Sequence, residues 1–312
     1  MSSPNNGSDV VIPVGGSPGI MMHVSRGDAP GPTLTVLGGI HGDEFEGQLA
    51  AALIAAGVGP QIETGELRVI PRANPLAAVG QTRHTPDDDK NLARCFPGDP
   101  DGTTTERIAR ALTESAIDGS DVLIDLHSAG RALKMPLMIG YDAADALRCA
   151  PIAAAFGVPI VWEHDAIGPG RSISAAADRG IAALYVECSG GGTVRRAELE
   201  HLVEGVRRVA VALGMIEGSV VEDAFPRIVR GGDGNLDASI SCSEAGLAVL
   251  FVDVGQEVAA GTTLAEVRDA DGRLRESMAA PFASLVMALR RDAPVVRGDF
   301  IAMLAPLQGV GP

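Results

Sequence analysis

Six short apolar runs divide the first two thirds of the chain, and they constrain its fold more than any other feature. "TLTVLGGI" (33–40), "ELRVIPRAN" (66–74), "DVLIDLHS" (121–128), "LMIGY" (137–141), "VPIVWEH" (158–164) and "IAALYVECSG" (181–190) read as strands. Near-continuous apolar strands suit a sheet that is buried on both faces. Helical patterns lie between them. Residues 103–117 open with Thr103 and Glu106 at capping-box spacing. Residues 195–213 place Leu199, Leu202, Val203, Val206, Val209 and Leu213 on one stripe, with Gly214 as the stop. The alternation predicts an α/β layered structure. Apolar residues make up 46% of the 312 and aromatics only 3%, so the core must be mostly Ala, Val, Leu and Ile.

The texture changes after about Gly218, where short β-like runs sit between Gly and Asp turns. "VGQEVAAGTTLAEV" (254–267) aligns with "RDAPVVRGDFIAML" (291–304). Val258 then matches Val295, Gly261 matches Gly298, Leu264 matches Ile301 and Val267 matches Leu304. Two related β units folded over one another predict a small two-fold sandwich, similar to the lipoyl/biotinyl-carrier type. The expected division is residues 1–218 and 219–312.

A formal net charge of −15, with lysine only at positions 90 and 134, argues against nucleic-acid partners. The start "MSSPNNGSDV" lacks the basic and apolar regions of a secretory leader. No apolar stretch reaches the roughly 20 residues of a membrane span. The four cysteines, at 95, 149, 188 and 242, form no C-x-x-C pair and read as small buried hydrophobes. The expectation is a cytoplasmic protein with no membrane partner; assembly with further copies stays open.

The first run stops abruptly at "HGDE". His41 and Glu44 are three residues apart between a strand and a helix, so one helical turn can face both towards one ion. His127 ends the run "DVLIDLH". Two histidines and a carboxylate, with a fourth position for water, are one catalytic zinc set. Asp43 points elsewhere and suits the helix N-terminus. Asp125 shares a strand face with His127 and can orient its ring. Glu187 ends another apolar run before Gly190, Gly191 and Gly192; a carboxylate there is costly unless used or paired, and reads as a fourth ligand or a base.

"GGIHGDEFEG", "NLARCFPG", "IDLHSAG" and "YVECSGGG", in that order over residues 33–192, resemble the succinylglutamate desuccinylase/aspartoacylase family, relatives of the zinc carboxypeptidases. The continuation from Phe96 to Glu106 is closest in motif to N-acetyl-diaminobutyrate deacetylases. The resemblance implies a mixed sheet flanked by helices, with a trailing β domain that narrows access to small substrates. It implies one zinc ion per chain held by His41, Glu44 and His127, with Glu187 as general acid/base. A small N-acyl amino acid would be the substrate and a deacylase the activity. Arg83 matches the oxyanion arginine by position. The resemblance implies that Arg94 binds the substrate carboxylate, but Ala93 replaces the asparagine usual before it and Asn91 stands in a different register, so either Arg94 holds the carboxylate alone or the substrate lacks that group. Arg171, in "GPGRSIS", offers a further guanidinium to a substrate anion. His84 and His164 are candidates for the pocket wall. The acid run Asp87–Asp89 reads as a solvated loop or as attraction for a substrate ammonium group. Two alternatives remain: a metallocarboxypeptidase, and a non-enzymatic binding or carrier protein. Residues 218–312 contain no lysine, which removes the swinging-arm form of the latter.

Overall fold

The computed structural model describes residues 7–220, 226–236 and 239–307. The elements, in order, are β1 (Gly7–Ile12), β2 (Ile20–Arg26), β3 (Ala29–Gly38), α1 (Phe45–Gly57), β4 (Thr64–Ile70), α2 (Pro75–Gly80), α3 (Thr104–Leu112) and β5 (Val122–Leu126). There follow β6 (Leu133–Lys134), β7 (Met138–Asp142), α4 (Ala146–Phe156), β8 (Ile160–His164), α5 (Ser172–Ala177), β9 (Ala182–Glu187), α6 (Arg196–Ala212) and β10 (Arg227–Arg230). The last strands are β11 (Ile240–Ser241), β12 (Gly246–Leu250), β13 (Glu257–Val258), β14 (Thr263–Arg268), β15 (Leu274–Ala279), β16 (Ser284–Arg290), β17 (Pro294–Val295) and β18 (Phe300–Pro306).

Nine strands form one mixed sheet in the order β1-β2-β4-β3-β5-β9-β7-β8-β10. β4, β3, β5 and β9 run parallel at its centre, and β7 joins β9 antiparallel. Strand alternation sends successive side chains to opposite faces. Val36, Val69 and Ile124 therefore pack with Ala50 and Ile54 of α1, Phe156 of α4 and Val206 of α6. Leu37, Ile70 and Leu123 pack on the other face with Ile108 of α3 and Ile173 of α5. The apolar stripe of residues 195–213 is the buried side of α6, and the chain leaves it at Gly214 with φ +72°. At α3 the Thr103 N–H donates to Glu106 Oε2 at 2.8 Å, and a π-helical turn, Thr113–Ile117, carries the helix to its expected end.

Residues 240–306 build two antiparallel sheets, β11-β18-β16-β13 and β15-β14-β12-β17. Val258, Leu264, Val267, Val295 and Ile301 from both sheets share one core. The sequence repeat has a direct structural meaning. Each copy is a two-residue strand, a left-handed glycine (Gly261, φ +84°; Gly298, φ +90°) and a longer strand. β13 pairs with β16, while β14 pairs with β12 in the opposite sheet. β17 pairs with β12, while β18 pairs with β16, so the two copies exchange sheets reciprocally.

The chain does not divide at Gly218 as expected. Arg227–Arg230 returns to the large sheet and pairs parallel with β8, register Arg227↔Ile160 to Arg230↔Glu163. With only four residues, β10 is too short to register as a run among polar neighbours. The smaller sheets are anchored to the larger one by β6, which pairs with β16, and by a shared cluster that joins Met135, Met138 and Trp162 to Leu285, Met287 and Met303. The hairpin β1–β2 extends the sheet beyond the strands expected from sequence. No helix among the described residues is long and apolar enough to cross a membrane.

Candidate active site

β3, β5 and β9 are neighbours and end at the same edge of the sheet, which brings "HGDE", His127 and Glu187 together. Two close approaches make this fit. A Cβ at Gly42 would sit 1.8 Å from the Ala77 carbonyl oxygen, and one at Gly47 would sit 2.2 Å from that of Leu126. Only glycine lets the first turn of α1 press against the end of β5, and that contact carries Glu44 to His127.

His41, Glu44 and His127 are all buried, with one ligand atom of each within 4.8 Å of the others. His41 Nδ1 lies 2.6 Å from Glu44 Oε1, and His127 Nδ1 lies 2.8 Å from Glu44 Oε2. The outer ring nitrogens are also engaged. His41 Nε2 is 2.9 Å from Asn91 Oδ1, and His127 Nε2 is 3.1 Å from Asp125 Oδ2. Asn91 Oδ1 also accepts the Ala93 N–H at 2.9 Å, which fixes it as an acceptor. Each imidazole thus meets an oxygen acceptor outward at Nε2 and points Nδ1 inward at Glu44; donation from Nε2 would leave both Nδ1 lone pairs for a divalent cation. Ser172 Oγ donates to Asp125 Oδ2 and holds that carboxylate in place.

The electrostatics follow from burial and from this packing. Burial alone would raise the Glu44 carboxyl, but the charges of His41 and His127 and their hydrogen bonds hold it well below the usual carboxylate range. Burial lowers His41, and the Arg83 charge adds to this. Burial opposes the charged form of His127 too, yet Asp125 and Glu44 push its pKa well above the ordinary value. Glu187 behaves in the opposite way to Glu44. Burial, reinforced by repulsion from Glu44, pushes it up to about 8. Its Oε2 is buried with no hydrogen-bond partner among the described residues. A buried carboxylate oxygen left this way needs a use.

All of these side chains except Asn91 line one cavity, together with Arg83, Arg94, Arg171, Ala93, His164 and Tyr185. Arg83 Nη1 donates to Glu44 Oε1 at 3.3 Å. Arg94 Nη1 donates to the Ala93 carbonyl at 3.0 Å and Nη2 to Asn235 Oδ1 at 3.4 Å. Arg171 Nη1 donates to the Gly168 carbonyl at 2.9 Å. Asn91 departs from expectation: its amide serves His41 from behind and does not face the cavity. Asp43 accepts the Arg131 N–H at 3.3 Å, outside the cavity. Gly190, Gly191 and Gly192 all take positive φ and pack along the Gly130 backbone, not along the cavity. His84 pairs with Asp89 on the outside, and Asp88 accepts from Thr105 at the start of α3. His164 is fully buried, 2.8 Å from the Tyr185 hydroxyl, and burial pushes its pKa down to about 4.

Three residues of the cavity wall, Asp233, Gly234 and Leu236, come from the segment after β10 and were not legible in the sequence. Only their Gly-Asp turn chemistry was visible there. Residues 240–304 do not line the cavity; they back its wall through Leu133 and Met135.

A sequence profile of the succinylglutamate desuccinylase/aspartoacylase catalytic domain matches residues 30–213, the span that holds His41, Glu44, His127 and Glu187. The chain belongs to this family. The family's chemistry is hydrolysis of the amide in N-acyl amino acids. A curated relative, the N-α-acetyl-L-2,4-diaminobutyric acid deacetylase of Halomonas elongata, is 33% identical over 297 residues, covering 90% of this chain and 84% of the relative. The product-bound structure of the ectoine utilization protein EutE (DoeB) from Ruegeria pomeroyi superimposes with a TM-score of 0.86 at 26% identity, covering 98% of this chain and 97% of that one. A succinylglutamate desuccinylase from a Silicibacter species gives a TM-score of 0.84 at 25% identity, covering 97% and 99%. The small antiparallel sheets lie beyond the catalytic profile, but these structures match nearly the whole chain.

Proposed function

We propose that this chain is a zinc-dependent deacylase that hydrolyses the amide of a small N-acyl amino acid, with an N-α-acetyl-diaminobutyrate as the first substrate to test. The observation that carries the reading is the inward-facing set of His41 Nδ1, Glu44 and His127 Nδ1 beside the half-buried Glu187, whose buried Oε2 has no hydrogen-bond partner among the described residues. One zinc ion held by His41, Glu44 and His127 would polarise the amide carbonyl and acidify water when bound. Glu187, as the carboxylate, takes a proton from the attacking water and passes it to the leaving amine. Arg83 donates to the oxygen that gains charge as the carbonyl carbon becomes tetrahedral. Arg94 and Arg171 receive the carboxylate of the amino acid. Asn91 and Asp125 hold the two histidines in their ligating tautomer. The products are a carboxylic acid and a free amino acid.

The lipoyl/biotinyl-like unit at 239–307 backs the wall, Asp233, Gly234 and Leu236 line it, and together they keep the entrance small. The catalytic unit in this reading runs through β10. The four free cysteines suit a reducing compartment, the cytoplasm.

Hydrolysis of N-α-acetyl-2,4-diaminobutyrate and of dipeptides by purified protein, with and without chelator, tests the reading. Cleavage of the acetylated amino acid that is lost on chelation and restored by zinc is expected. Cleavage of dipeptides alone, or full activity with no bound metal, would overturn it.

A further inference from the structure

We infer that Asp233 is the seat of a side-chain ammonium group, so that this chain selects N-acyl amino acids with a cationic side chain. The inference rests on the deacylase reading and adds the residue that sets the substrate's side chain.

Among the described residues, four carboxylates line the cavity: Glu44, Asp125, Glu187 and Asp233. The first three have assigned surroundings. Glu44 contacts both histidines and Arg83. Asp125 contacts His127 and Ser172. Glu187 is half-buried beside this cluster, with its Oε2 enclosed. Asp233 differs: it is exposed to the cavity mouth and forms no ion pair among the described residues. Its Oδ1 accepts the Asn235 N–H at 3.0 Å, which fixes the side chain and leaves the second oxygen for a ligand.

The turn that carries Asp233 is held from two sides. Gly234 adopts φ +59°, and a Cβ there would lie 2.6 Å from His164 Cε1, so the turn rests directly on the buried imidazole. Asn235 Oδ1 accepts from Arg94 Nη2, which ties the same turn to an arginine of the cavity. His164 cannot balance the Asp233 charge, because its burial keeps it neutral at pH 7. The acid run Asp87–Asp89, the other candidate for an ammonium partner, does not reach the cavity. A substrate with its α-carboxylate on the arginines and its acyl group at Glu187 has its side chain left to face another part of the wall. An ammonium there meets Asp233; a carboxylate there is repelled.

The test compares three N-acetyl amino acids on the metal-loaded enzyme: 2,4-diaminobutyrate, neutral 2-aminobutyrate and aspartate. Wild type should prefer them in that order. Asp233→Asn keeps the oxygen that accepts from Asn235 and removes the charge. It should lower kcat/KM for the cationic substrate about 10- to 100-fold, mostly through KM, the scale of one charged hydrogen bond. The neutral substrate should change less than about threefold, and the acidic one should improve. Asp233→Ser serves as a second variant should the first melt early. Equal losses on the cationic and neutral substrates, or no wild-type preference between them, would overturn the inference while leaving the deacylase reading intact. No hydrolysis of any of the three by wild type would instead remove that reading.

Discussion

His41, Glu44 and His127 meet at strand ends of the large sheet, whereas Asp233, Gly234 and Leu236 reach the same cavity from a turn beyond β10. The first end is buried and interlocked: Glu44 is 2% exposed, and every histidine nitrogen has a partner. The second end is a turn in which Asp233 Oδ1 accepts the Asn235 N–H and Asn235 Oδ1 accepts from Arg94. Rigid strand ends fix where the bond is broken; a turn can vary without disturbing them. In the proposed function, the reaction type therefore resides at one end, and the choice of side chain at the other.

The comparison breaks most visibly at the ligands. His127→Ala should lose the metal and reduce kcat by about 10⁴-fold or more, at the scale of removing a whole catalytic group. Retained activity in that variant would separate the chemistry from this cluster. Glu187→Gln should lower kcat by about 10²- to 10⁴-fold with KM little changed, the range of a general base; a loss confined to KM would make Glu187 a binding residue. Asp125→Asn removes the carboxylate behind His127 and should weaken zinc affinity about 10- to 100-fold, read by competition with a chelating dye. Unchanged affinity would reduce Asp125 to a structural role.

The smallest effect lies far from both ends. Glu106 is held at about 2, below its ordinary 4.5, chiefly by the Lys90 hydrogen bond and then by the Thr103 N–H. A depressed carboxylate stabilises the fold above its unfolded pKa and loses that contribution as pH falls through its folded one. Thermal melts of Glu106→Gln should therefore differ slightly from wild type at pH 7, and the difference should shrink between pH 4.5 and 2. A constant difference across that range would assign the effect to packing instead.

The two ends also differ in how far sequence reveals them. Buried parallel strands leave apolar runs, so β3, β5 and β9 are readable, and a histidine closing such a run stands out. The alternation of helix and strand carries the layer order with it. The repeat of residues 254–267 at 291–304 survives because both copies must turn at a left-handed glycine and cross between sheets. Other features leave no such trace. Asn91 works from a loop, where no periodicity says which way an amide points. His164 ends a strand as His127 does, yet its burial against Tyr185 comes from tertiary packing alone. β10 is four residues long, and its pairing with β8 is decided by a neighbour more than 60 positions away. Asp233 sits in a Gly-Asp turn that resembles any surface turn.

Metal stoichiometry by elemental analysis, on wild type and Glu187→Gln purified side by side, tests the central claim most directly. About one equivalent of zinc in each is the predicted result, because in the proposed function His41, Glu44 and His127 hold the ion without Glu187. Wild type with far less than one equivalent, or zinc lost from Glu187→Gln alone, would contradict the assignment of ligands and base.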